Sequence, residues 1–130
     1  MAITQPTYEI RVDDLVTHVG AYADKVTSEA SVAATQTASF TFTLAMKGQV
    51  VPASSASAIV ATVPTNAAVA YPVGSWIELD RMGTGAVSVL ADTGVTIRKA
   101  AAVLTLRAQY STAVIRKIAT NEWLIVGDLG

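Results

Sequence analysis

The sequence predicts a mainly β protein: an antiparallel β-sandwich or small barrel preceded by a short N-terminal helix. Three observations carry that expectation. Between Gly74 and Leu129, short runs of alternating apolar residues recur, each followed by a turn. A period of two puts one strand face on a core and the other towards water or a neighbour. The runs start about ten residues apart, the spacing of an antiparallel sandwich or barrel. Ahead of them, the N-terminal part follows a helical period instead. The expected division is an arm at 1–38, holding an amphipathic helix over about 9–27 and a linker, then an antiparallel β domain at 39–130.

The helix rests on Val12, Leu15, Val19, Tyr22 and Val26, whose steps of three and four residues make a heptad seam. Asp13 and Asp14 fall in the first turns and Lys25 towards the far end, as the helix dipole favours. Gly20 costs about 1 kcal/mol relative to Ala. So short a helix is marginal alone and needs packing. The seam is therefore a candidate surface for self-association or for docking on a larger assembly, and packing on its own β domain is the other reading. Thr27 to Ala38 has no periodicity and reads as a linker or extended arm.

From Ser39 the period drops to two. Phe40, Phe42 and Leu44 alternate with threonines, and Met46-Lys47-Gly48 makes a turn. Val50-Val51 and Ile59, Ala61 and Val63 supply further strands, with Pro52 and Pro64 at their ends because proline cannot donate to a ladder. Tyr71-Pro72-Val73-Gly74 forms a corner. Then come the runs opening at Trp76, Val87, Val95, Val103, Ala113 and Trp123. Gly83-Thr84-Gly85 and Asp92-Thr93-Gly94 read as tight hairpin loops. Trp76 and Trp123 each open an apolar run and are expected to anchor the core.

Charged residues make up 15% of the 130, against about 25% in a typical soluble domain. Apolar residues reach 52% and mean hydropathy is +0.45. From Ala30 to Ile77 the only charged side chain is Lys47. A membrane span is not expected there: Pro52, Pro64 and Pro72 interrupt it, and no apolar run reaches roughly 18 residues. Met1 to Pro6 offers no basic or apolar signal region, so no signal peptide is expected. Surface buried against copies or a large partner accounts better for the missing charge. Without cysteine, disulfides, thiol catalysis and zinc–thiolate sites are excluded. A net charge of −1 gives no drive towards nucleic acid or anionic membranes.

No set of residues suits catalysis. His18 is the only histidine, and Asp14 four residues before it stabilises a helical turn. Glu78 and Asp80 share one strand face, where Arg81, Arg98 or Lys99 could neutralise them; they read as a solvated face rather than an acid–base pair. Arg98, Lys99, Arg107, Arg116 and Lys117 could form a basic stripe, but pairing with Glu78, Asp80 and Glu122 is preferred. Gly83-Thr84-Gly85 joins strands and is no phosphate loop. Aromatics are scarce, which weakens a carbohydrate-binding reading. No catalytic, cofactor-binding or metal-ligating residue is assigned.

Several strings nevertheless stand in a telling order: Ile59 to Asn66, Tyr71 to Ile77, Gly83 to Val89, Gly94 to Ile97, Gln109 to Ala113, and Asn121 to Leu129 with its Trp-x-x-x-Gly-Asp-Leu close. This order resembles a small β module of tailed-bacteriophage virion proteins, found in tail fibres, minor tail proteins and capsid-surface proteins. The resemblance spans Phe40 to Leu129. It implies an all-β, usually trimeric module without enzymatic activity, and carries no binding site onto particular residues. A tail fibre is normally a long chain with a shaft, whereas this sequence offers one helix and one module. The expectation is therefore a homotrimeric capsid decoration or head-fibre protein on the virion surface. Its partners would be copies of itself and the major capsid protein, and neither nucleic acid nor membrane. The alternative is a compact tail-fibre or tail-tip protein that binds a host surface glycan or receptor.

Overall fold

Valine and isoleucine are the commonest residues of the strands, where branched side chains suit a pleated, half-buried surface. The computed structural model describes residues 31–130. Nine strands run in order: β1 (Ser31–Val32), β2 (Phe40–Thr41), β3 (Gln49–Ala53), β4 (Ile59–Val63), β5 (Trp76–Arg81), β6 (Val87–Ala91), β7 (Thr96–Arg98), β8 (Thr112–Ala119) and β9 (Glu122–Gly127). They form a six-stranded sheet, β1-β3-β5-β8-β9-β7, and a three-stranded sheet, β2-β4-β6. The protein is mainly β, as the alternation predicts. The predicted N-terminal helix and its seam, Val12, Leu15, Val19, Tyr22 and Val26, lie outside the described residues.

The expected antiparallel pairing is not what the strands adopt. From β1 to β6 the chain passes back and forth between the sheets, so strands two apart in sequence pair in parallel. Only β8 runs against its neighbours, antiparallel to both β5 and β9, while β7 pairs β9 in parallel. Both sheets are buried on one face, and such strands alternate with period two whichever way they run. Period alone therefore could not reveal strand direction. The chain end closes back on the loop before β8: Leu106 bridges Leu129, and the Gly130 N–H donates to the Thr105 carbonyl.

Two predicted hairpins are crossovers instead. Gly83-Thr84-Gly85 carries the chain from β5 in the larger sheet to β6 in the smaller one, and Asp92-Thr93-Gly94 carries it back to β7. Glycine is needed at 85 because another backbone comes close: a Cβ there would lie 2.1 Å from the Ser57 carbonyl oxygen. Among the described residues, the one tight hairpin joins β8 to β9 through Thr120-Asn121. Asn121 takes φ 54°, a left-handed conformation asparagine tolerates better than most residues.

The inward faces of both sheets share one core. Val51 and Ala53, Ile59, Ala61 and Val63, Ile77 and Leu79, Val87 and Val89, Ile115, Trp123 and Ile125 belong to it. Burying each larger aliphatic side chain contributes roughly 1.5–3 kcal/mol relative to leaving it in water. Trp123 anchors this core, packed edge-on against Tyr71 with ring centroids 5.3 Å apart. Trp76 does not. It alternates with Ile77 and so points outward, 36% exposed.

Two boundaries also differ from expectation. β1 falls within the predicted linker and pairs with β3. Pro52 lies inside β3 rather than at its end. Its carbonyl accepts from the Gln36 N–H, so its missing donor faces the short β1 side and leaves the β5 ladder intact.

Candidate interaction face

The outer face of the six-stranded sheet is built from the positions that alternate with the core. One row across five strands reads Val32, Val50, Glu78, Val114 and Val126 in register. The row on one side of it reads Trp76, Arg116, Leu124 and Arg98. Pro52, Asp80 and Thr112 make the row on the other. Val32 at 68% and Val126 at 55% exposed bracket a largely apolar surface, with Trp76 at one border. The outer positions of the smaller sheet differ: Thr41, Thr62 and Leu90 in one row, Val60 and Ser88 in the next, with no charge among them.

Charge on the larger face is sparse and ordered. Glu78 and Asp80 project from β5 on the same side, as predicted. Partial burial, a hydrogen bond with Asp80 and repulsion from it push the Glu78 carboxyl above its ordinary value. The Thr112 hydroxyl donates to Asp80 at 2.5 Å. Arg98 reaches Glu122 at 2.9 Å, and Arg107 reaches Asp128 at 2.8 Å. Among the described residues, Arg116 joins no ion pair although Glu78 is its diagonal neighbour across the β5–β8 pair. Of the predicted partnerships for the acids, only that of Glu122 forms.

The basic stripe is not assembled. Lys117 shares parity with Ala113 and Ile115, points inward and is 3% exposed. Its amino group donates to Asn66 Oδ1 at 2.5 Å and to the Tyr71 carbonyl at 2.7 Å. Asn121 Oδ1 accepts the Asn66 N–H at 2.7 Å, and the Tyr71 hydroxyl donates to the Thr43 carbonyl. Burial pushes the Tyr71 hydroxyl up to about 12. This polar node ties the loop between β4 and β5 to the β8–β9 hairpin. Sequence reasoning missed it, yet a signal exists in the parity of Lys117 with two apolar positions.

At the opposite end, Tyr110 is 71% exposed with φ 72°. Its N–H donates to the Arg81 carbonyl, and Gln109 Nε2 donates to the Met82 carbonyl. Asp128 accepts from Arg107 and Ser111, which hold its carboxyl below its ordinary value. Among the described residues, no group of three histidines, cysteines or carboxylates is placed to hold a metal ion. No helix among them is long and apolar enough to cross a membrane. The outer face offers contact area and charge of both signs. No protein-family model, curated protein or solved structure matches the chain.

Proposed function

We propose that this chain is a structural protein of a bacteriophage virion, a homotrimeric capsid decoration or head-fibre protein that binds and stabilises the capsid surface. The observation that carries the reading is the outer face of the larger sheet, an apolar valine row on a chain unusually poor in charge. Such faces serve assembly better than solution. The ordered resemblance over Phe40 to Leu129 supplies the phage context, and the mainly β build of the described residues is compatible with the all-β module that the resemblance implies. Binding across neighbouring capsid subunits would stabilise the assembled shell by mass action. Three-fold and quasi-three-fold capsid positions would suit a trimer. The test is fractionation: the protein should occur in many copies on tailless capsids. Recovery only with tails would refute the capsid assignment.

A second reading has its own observation. Tyr110, Met82 and Gln109 gather at one end of the sheet, with the tyrosine ring exposed. A tip that binds a host glycan or receptor would present such a loop. Purified protein would then compete with phage for adsorption, and Tyr110→Ala would abolish the competition. Saturating protein that leaves adsorption unchanged sinks this alternative.

A further inference from the structure

We propose that the outer face of the six-stranded sheet docks on a second copy of this chain, the acidic half of one face meeting the basic half of the next. This assigns to self-association the surface that the assembly reading leaves without an occupant, and rests on that reading for the number of copies.

The face divides cleanly. On β1, β3 and β5 its outward positions are Val32, Val50, Pro52, Trp76, Glu78 and Asp80, apolar but for two carboxylates. On β8, β9 and β7 the charge that joins no ion pair among the described residues is Arg116, because Arg98 and Glu122 neutralise each other. One half is thus acidic and the other basic, with the valine row running through both. A contact of left half on right half uses different patches of the two copies, and such contacts close into rings when the rotation allows.

The monomer leaves each charge in want of the other. Glu78 sits beside Asp80, both on a partly covered apolar surface, with no cation bonded to either among the described residues. Removing water would make that repulsion worse unless a cation entered with the partner. Arg116 of the next copy supplies it, and its planar fork suits a carboxylate pair. The valines supply area but little register, whereas the charges fix which half meets which. The smaller sheet's outer positions carry no such code.

The experiment uses the full chain and its natural freedom from cysteine. Light scattering of the parent protein should give a multiple of the 13.5 kDa protomer. Glu78→Lys and Arg116→Glu should each weaken association about tenfold or more, with circular dichroism of the β fold retained. Combining both substitutions in one chain reverses the charge on both sides of every contact and should restore the parent mass. Glu78→Cys mixed with Arg116→Cys should cross-link on mild oxidation, far more than either alone. A parent that stays a protomer, or charge variants that keep the parent mass, would overturn the proposal. Co-sedimentation with purified capsids reports separately: an associating parent that binds no capsid refutes only the capsid reading, and capsid binding by a parent whose variants keep its mass refutes only this interface.

Discussion

Lys117 and Asn66, 51 residues apart in sequence, meet at 2.5 Å, amino group to side-chain carbonyl, beneath the β8–β9 hairpin. The contact fixes the loop that follows β4 onto a strand of the other sheet. With the Tyr71 carbonyl it gives a buried polar group its partners, which is what such burial demands.

Lys117→Ala removes the donor, strands two acceptors and opens a void. The expected loss is about 2–4 kcal/mol, a fall in Tm of at least about 8 °C. Lys117→Met keeps most of the volume and should lie between parent and alanine variant. Thermal unfolding followed by circular dichroism checks the order; an alanine variant as stable as the parent would remove the node from any account of the fold.

Asn121 combines a turn with a bond, and two substitutions separate them. Asn121→Gly preserves the left-handed φ and loses only the acceptor for the Asn66 N–H, a cost of about 1 kcal/mol. Asn121→Ala adds backbone strain of about 1–2 kcal/mol. Denaturant midpoints should therefore fall in the order parent, glycine, alanine.

Acid should act on the fold in two opposite stages. The Glu78 carboxyl is raised in the folded state, so the cost of its charge is present above the folded value and is relieved as pH falls towards 4.5. The Asp128 carboxyl is lowered, so its contribution is present above 3.8 and lost as pH falls through the folded value. For the protomer, stability should rise and then fall on acidification. Glu78→Gln should flatten the first limb and Asp128→Asn the second, measured by Tm across pH 6 to about 2.

Gly85 passes the Ser57 carbonyl too closely for any side chain. Gly85→Ala should cost about 1–3 kcal/mol by displacing backbone, while Thr84→Ala beside it should be nearly neutral. Equal midpoints for the two variants would mean that the crossover has room to relax.

Alternation located the strands because each sheet has one wet and one dry face: Ile77, Leu79, Ile115 and Ile125 all point inward as their runs imply. Partnership was not legible. β5 pairs with β8, whose residues lie more than thirty positions further on, and local pattern says nothing about that choice. The two tryptophans show how parity outranks residue type. Trp123 shares the phase of Ile125 and is buried, whereas Trp76 is out of phase with Ile77 and faces outward. Part of the candidate face was visible as well, since Glu78 and Asp80 sit two residues apart on one strand. That Arg116 stands opposite Trp76, and so diagonal to Glu78, follows only from the β5–β8 register.

The winding of the chain between sheets governs how it can reach its native state. Among the strands described, β8 and β9 alone are neighbours both in sequence and in space, separated by Thr120-Asn121. Every other pairing must close a loop, as between Val50 and Glu78 or Ile59 and Val87, before hydrogen bonds reward it. The final residues also lock the assembly, with Leu129 joined to Leu106. Until those loops close, strand edges stand unpaired, and encounters between unfinished copies are the hazard that rapid closure of the β8–β9 hairpin helps to limit.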